Sequence, residues 1–508
     1  MSCSKIFSGD LPELTYEVIK YFQNDYSTLY SCILVNRLWC RLTIPLLWEN
    51  PFSICTENND FIEIYLCNLN NDFITLLNEY KIFNNSLSTN TLFNYPSFLK
   101  YLNTYKFITS IDKWVDYVIR NSTFEISYLF KDFDSVSKLI FKIFIENEIK
   151  LHTLEIEISG TYYSTYFNEI LELILQNQNF IHNIGNLKLY INNYDENMDH
   201  ILQITHLHQN LKKILICNNY TSLYQSLLLS KDYNCSNTLN TITFYYVDFR
   251  KIINLDKVFG QLNVLESVHT IYCFFLNNSF TQQIINLCKP FKLKTLILND
   301  VLQFESLQQL LLKSGDYLEN FGLGFSYGPS SRQVLLGLII KYCKNIKFLD
   351  LCEFEYQITY KILDLIENIK QDLNYLSINI QEDNYSTNGS SIILKNLGQA
   401  LPSKLEYLSL VLNVKESDFR AFLENSQDVF INKLLIKLQS GSDNISHYIK
   451  EYIMKGERVK YLAIKDIKNN NQLSDLRDEV VEFKLYNIGV RSYNDLLISV
   501  DKFIKNID

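Results

Sequence analysis

Residues 373–378 read Leu373-Asn-Tyr-Leu376-Ser-Ile378, and residues 405–410 read Leu405-Glu-Tyr-Leu408-Ser-Leu410. Both follow one pattern: apolar, two residues, apolar, one residue, apolar. Outward from this pair the pattern recurs at Ile346-Lys-Phe-Leu349-Asp-Leu351, Leu318-Glu-Asn-Phe321-Gly-Leu323 and Leu293-Lys-Thr-Leu296-Ile-Leu298 on one side. On the other side come Ile431-Asn-Lys-Leu434-Leu-Ile436 and Val459-Lys-Tyr-Leu462-Ala-Ile464. Earlier copies start at Leu151, Ile184, Leu211 and Leu239, with a weaker one in Val268, Ile271 and Cys273. A last copy is read at Val480-Val-Glu-Phe483-Lys-Leu485. Thirteen starts over 329 residues have a mean period near 27. One copy means little in a chain that is 47% hydrophobic, but thirteen at spacings between 21 and 33 residues define a repeat.

Each unit reads as a short strand with a helical return. Strand alternation sends the fourth and sixth positions of the pattern inward and their neighbours outward. In the returns, Phe304, Leu307, Leu310 and Leu311 share a helical face behind Asp300, and Ser417 precedes Phe419, Phe422 and Leu423. A single unit cannot bury both its strand face and its helix stripe, whereas stacked units can. With 14 Gly and 7 Pro in 508 residues, turn-formers are too few for a chain of tight hairpins.

This repeat resembles the longer, ribonuclease-inhibitor-like class of leucine-rich repeat. The resemblance implies an α/β solenoid, a horseshoe with a parallel concave sheet and a helical convex side. Asn192 and Asn219 fit the Asn or Cys place after the strand, but Val247, Leu276, Val301 and Phe354 do not. A regular side-chain ladder is therefore not expected.

Residues 10–48 follow a different plan. Asp10 is read as a helix cap, with Pro12 early in the first turn, where its missing N–H costs nothing. Leu14, Val18 and Phe22 form an apolar stripe; a second helix carries Leu29, Ile33 and Leu34, and a third Leu38, Leu42 and Leu46, with Pro45 near its end. Three such helices have too small a core to be comfortable alone. Leu11-Pro12, Glu17-Val18-Ile19-Lys-Tyr21-Phe22, Leu29 with Val35 and Trp39 behind it, and Trp48 together resemble an F-box, with Leu11-Pro12 one residue nearer Glu17 than is commonest. The resemblance implies docking onto the Skp-type adaptor of a cullin-RING ubiquitin ligase through Leu11, Pro12, Val18, Leu29, Val35 and Trp39. The expected organisation is an F-box-like three-helix domain at 8–50, a helical connector at 51–149 and about 13 repeats at 150–508. Helical candidates in the connector are Phe73–Tyr80 and Val136–Ile145.

Charge and composition narrow the function. Net charge is −9 without a Lys/Arg cluster, so no nucleic-acid footprint is expected. No apolar run reaches the ~18 residues of a membrane span, and the first residues hold no secretory apolar core. Eleven scattered cysteines without a C-x-x-C pair read as reduced thiols of a cytoplasmic or nuclear protein. Gly322, Gly324 and Gly328 mimic a dinucleotide loop, but Tyr327 stands where the third glycine belongs and Pro329 interrupts the turn. His200, His206 and His208 have no partner placed to complete a zinc site. With no catalytic constellation, cofactor motif or metal set, the expectation is a non-enzymatic substrate receptor. A plain repeat scaffold or inhibitor is the alternative, and an α/β enzyme has no residues to rest on. Outward aromatics on the concave face, foremost Tyr272, Phe348, Tyr375 and Tyr407, are the candidate target contacts; stacking that only stabilises the array is the other reading of the same rings.

Overall fold

The structure is a computed structural model that describes residues 11–23, 25–54, 59–67, 91–121, 133–158, 164–191, 198–207, 210–217, 235–298, 303–324, 329–354, 356–380, 388–454, 456, 458–498 and 502–503. Asp10, the helical candidate Phe73–Tyr80, Asn192, His208, Asn219, Asp300, Val301 and the turn 325–328 lie outside them. The chain divides into two compact units: 1–242 with 261–264, and 243–260 with 265–508. The division runs through the repeat series rather than at 50 or 149.

In the first unit, strands β1 (Tyr101–Asn103), β2 (Thr153–Ile158), β3 (Asn186–Ile191) and β4 (Lys213–Cys217) pair in parallel. Leu102, Leu154, Leu187 and Ile214 stand abreast, as do Ile156, Leu189 and Ile216, and all of them are buried. These are the inward positions of the pattern. β1 was not read from the sequence: Leu99-Lys-Tyr-Leu102-Asn-Thr104 ends in Thr where the pattern needs an apolar residue.

The connector is helical, at Thr104–Asn121 and Phe133–Glu146, and its core is aromatic. Phe52 and Phe107 lie 5.1 Å apart, Tyr65 and Phe144 5.1 Å, and Phe141 and Phe180 5.0 Å, centroid to centroid. Trp114 is fully enclosed. Edge-to-face and tilted rings of this kind fill the space between helices beside buried aliphatic side chains such as Ile108, Ile111, Ile140 and Ile143.

The division falls within β5 (Thr241–Tyr245), and the second unit runs through β6 (Ser267–Ile271), β7 (Leu293–Leu298), β8 (Asn320–Leu323), β9 (Phe348–Phe354), β10 (Tyr375–Ile380), β11 (Lys404–Leu412), β12 (Phe430–Leu438) and β13 (Val459–Asp466). From β6 onward each is parallel to the next. Leu296, Phe321, Leu349, Leu376, Leu408, Leu434 and Leu462 align across seven strands, with Leu298, Leu323, Leu351, Ile378, Leu410, Ile436 and Ile464 two places on. Return helices from Asn278–Ile285 to Glu416–Asn425 pack neighbour on neighbour. A Cβ at Gly398 would come within 2.8 Å of the Phe422 carbonyl oxygen and of the Asn425 Cβ, so glycine lets those two helices approach.

Three expectations are corrected. The weak copy at Val268 slips register, Val268 facing Leu293 but Thr270 facing Leu296, because a bulge follows Val268. The last copy, Val480–Leu485, lies in the helix Arg477–Leu485, where Phe483 alone is buried. The capping residues also differ: the helix at Phe304 starts from Gln303, and that at Glu416 from Lys415, with Ser417 inside it. Each unit thus contains a stack of strand–helix repeats, joined in the first by the helices that precede β2.

Candidate functional site

The first candidate surface is built by three helices, Pro12–Lys20, Tyr26–Ile33 and Arg37–Leu47. Leu11 caps the first without a side-chain bond, and Pro12 occupies its first turn. Asp25 caps the second by accepting from the Thr28 amide at 3.1 Å, and Asn36 caps the third through the Trp39 amide at 3.0 Å. Pro45 sits in the last turn of the third helix. The core is Ile19, Leu29, Cys32, Trp39 and Leu46, with Tyr16, Phe22, Leu42 and Leu47 packed against it. Trp48 fixes the cluster to the connector, its ring 5.3 Å from Tyr65 and 4.5 Å from Tyr95.

The six residues named for adaptor contact therefore separate. Leu29 and Trp39 belong to this core and offer no surface. Leu11 and Pro12 are half-buried, while Val18 is 42% exposed and Val35 50% exposed. The stripe Leu14–Val18 does not face inward; Thr15 and Ile19, one position on, do. The first two helices consequently leave Leu14, Val18, Tyr21 and Tyr30 outside, with Leu34 and Val35 just beyond the second helix. Tyr21 is 84% exposed and Leu34 75%.

The second candidate surface is the sheet face turned away from the helices in the second unit. Across it Asn320, Phe348, Tyr375, Tyr407, Lys433 and Tyr461 form one row, as the repeat register predicts. Phe348 and Tyr375 are 6.1 Å apart and Tyr375 and Tyr407 6.2 Å, centroid to centroid, their planes tilted by 36° and 33°. These three rings do come together. Their exposure is not what the sequence suggested: Phe348 is only 7% exposed and Tyr407 2%.

The cause is the C-terminal segment. Tyr493–Leu496 forms a short helix that packs on β12 and β13. The Tyr493 ring is buried with Tyr407, Leu435 and Ala463, and Leu496, Leu497 and Ile498 pack against that group. Its hydroxyl lies 3.4 Å from Ser409 Oγ, and the Ile498 amide donates to the Tyr407 hydroxyl at 3.3 Å. The Phe503 ring sits 4.5 Å from that of Phe348. Burial pushes the Tyr407 phenol up to about 12, against the hydrogen bonds from Ile498 and Ser409. In the next outward row, Asp350, Ser377 and Ser409 stand abreast. Burial raises the Asp350 carboxyl above its ordinary value although Ser377 and Cys352 donate to it. β11 and β12 are accordingly buried on both faces at Tyr407, Ser409 and Leu435, where β3 and β10 alternate.

Tyr272, the fourth ring named, is not in this row. It follows the end of β6 in a left-handed conformation (φ 51°) and stacks on Tyr246 (φ 54°), centroids 5.2 Å apart. Phe275 nearby lies under the Arg250 guanidinium, 3.9 Å from it. Gly322 is a crowded outward position, its missing Cβ 3.0 Å from an Ile297 methyl, and the helix behind it starts at Pro329. Among the described residues no group of three or more His, Cys, Asp or Glu side chains is placed to hold a metal ion, and no helix is long and apolar enough to cross a membrane.

No family model matches the chain, and no curated protein matches it. Among solved structures the chain is similar to one in the crystal structure of the Rad7 and Elc1 complex in yeast. The identity is 15%, the match covers 66% of this chain and 77% of that one, and the TM-score is 0.37.

Proposed function

We propose that the chain is the substrate-recognition receptor of a cullin-RING ubiquitin ligase, its first three helices docking a Skp-type adaptor and its repeats holding a target protein. The observation that carries this reading is the apolar surface of the first two helices and the turn after them. Leu14, Val18, Tyr21, Tyr30, Leu34 and Val35 stay outside although the same elements enclose a core in which Ile19 and Leu29 are fully buried. Scattered surface apolar residues need no explanation, but six on two short helices and the following turn are what a partner would cover. The sequence resemblance to an F-box falls on these same helices, and the parallel repeat stack supplies the second, separate surface.

In this reading the chain contributes no catalytic side chain, cofactor or metal. It holds the target beside the ubiquitin-loaded enzyme, and the gain in rate comes from proximity. It works in the cytoplasm or nucleus, where its thiols stay reduced. Affinity capture with purified Skp-type adaptor and cullin tests it. The full chain is expected to retain both, and a Leu11→Ala/Pro12→Ala variant to retain neither while melting like the parent; retention by that variant would refute the assignment.

A further inference from the structure

The C-terminal segment is held to the sheet by side chains more than by strand pairing. Its last pairing is β14 (Gly489–Val490) against Tyr461 and Leu462 of β13, followed by one hydrogen bond from the Arg491 amide to the Leu462 carbonyl at 3.0 Å. Beyond that, the Leu496 and Leu497 amides bond within their own turn, to Ser492 and Tyr493. The Tyr493 and Ile498 amides reach side chains only, Gln472 Oε1 at 3.0 Å and the Tyr407 hydroxyl at 3.3 Å. Of its described residues past Ser492 only Tyr493 is buried; Asn494 and Asp495 are exposed and Leu496, Leu497, Ile498 and Phe503 half-buried. Few backbone bonds to neighbours and little buried surface mark the low-stability end of a fold, which opens without the rest unfolding.

What the segment covers is unusual for a purely structural contact. It closes over Tyr407 and Ser409 and sets a ring against Phe348, in the two rows that also hold Tyr375, Asp350 and Ser377. Two of the three rings in the row have a ring of the segment against them: Phe503 on Phe348, Tyr493 beside Tyr407.

We propose that residues 493–498 and 502–503 belong to a strap that opens, and that the row Phe348–Tyr375–Tyr407 receives an extended segment of a partner protein with aromatic side chains in the places of Phe503 and Tyr493. The strap itself shows what chemistry the row accepts: two rings about one short segment apart, with a hydroxyl toward Ser409. The partner must outcompete a tethered ligand, so its apparent affinity is its intrinsic affinity multiplied by the fraction of time the strap is open. This rests on the reading of the repeats as a partner-binding array, and not on the adaptor.

Two measurements on the full chain test it. In hydrogen exchange the Tyr493 and Ile498 amides are expected to exchange about 100-fold faster than those of β10–β12; equal protection would show the segment to be part of the core. Second, a labelled peptide with the sequence of residues 491–508 is titrated into the parent and into a full-length Tyr493→Ala/Phe503→Ala variant. The variant is expected to bind it at least about tenfold more tightly than the parent, and a peptide with the same two alanines to bind neither. No gain in the variant would overturn the proposal. Neither readout involves the adaptor, so failure of the ligase reading would leave both unchanged.

Discussion

The Phe503 ring rests 4.5 Å from the Phe348 ring, centroid to centroid, and so joins the end of the chain to the outward face of β9. Phe348 is the first of three rings that the repeat register lines up, and Tyr407, the third, accepts at its hydroxyl from the Ile498 amide of the strap. The most aromatic part of the face is therefore already occupied in the isolated chain.

The burial of Asp350 has a pH signature. Its carboxyl is raised by burial, so the folded chain holds this proton more tightly than the unfolded chain does. Stability is then lost as pH rises from the ordinary carboxylate value, about 3.9, through the raised one. Asp350→Asn is expected to melt higher than the parent at about pH 7 and equally near pH 3, where both are uncharged. A lower melting temperature at neutral pH would show that the ionised carboxylate is stabilising.

Asp418 behaves in the opposite sense. Its side chain is buried, burial opposes its charge, and the donors Ser391 and Lys395, the latter at 3.1 Å, outweigh that and hold the carboxyl below its usual range. A depressed value contributes stability that is present above the unfolded pKa and lost as pH falls through the folded one. Asp418→Ala is expected to cost about 2 kcal/mol at neutral pH, shrinking in acid, as read by urea denaturation at both pH values.

Core and surface of the three-helix cluster should separate cleanly. Ile19→Ala removes a fully buried side chain and is expected to cost about 3 kcal/mol. Leu34→Ala, on the exposed turn after the second helix, is expected to cost less than about 0.5 kcal/mol. Comparable losses in the two denaturation curves would mean that Leu34 packs on something in the free chain.

Much of the fold was legible because a buried strand face leaves a fixed spacing. Leu376, Leu408 and Leu434, each the fourth residue of its copy, stand side by side in the sheet. The failures have local causes. Val480–Leu485 carries the spacing, but acidic Asp478 and Glu479 lead a helix there. β1 lacks the last apolar residue because Thr104 turns into a helix. In the three-helix cluster the spacing of Leu14, Val18 and Phe22 shows a stripe but not which way it faces; Thr15 and Ile19 fill the core, Phe22 packs against it, and Leu14 and Val18 are left for the surface. The strap was the largest omission. Its sequence signal was present in Leu434-Leu435-Ile436, a run apolar on both faces, which a strand with one solvated face does not need.

The most direct test of the receptor reading is a calorimetric titration of purified Skp-type adaptor into the full chain and into a Val18→Asp/Leu34→Asp variant. Both side chains are exposed, so the variant is expected to melt like the parent. The account predicts one adaptor bound per parent chain and a loss of at least about 100-fold in the variant, as expected when charge is placed in the centre of an apolar contact. No binding by the parent, or undiminished binding by the variant, would contradict it.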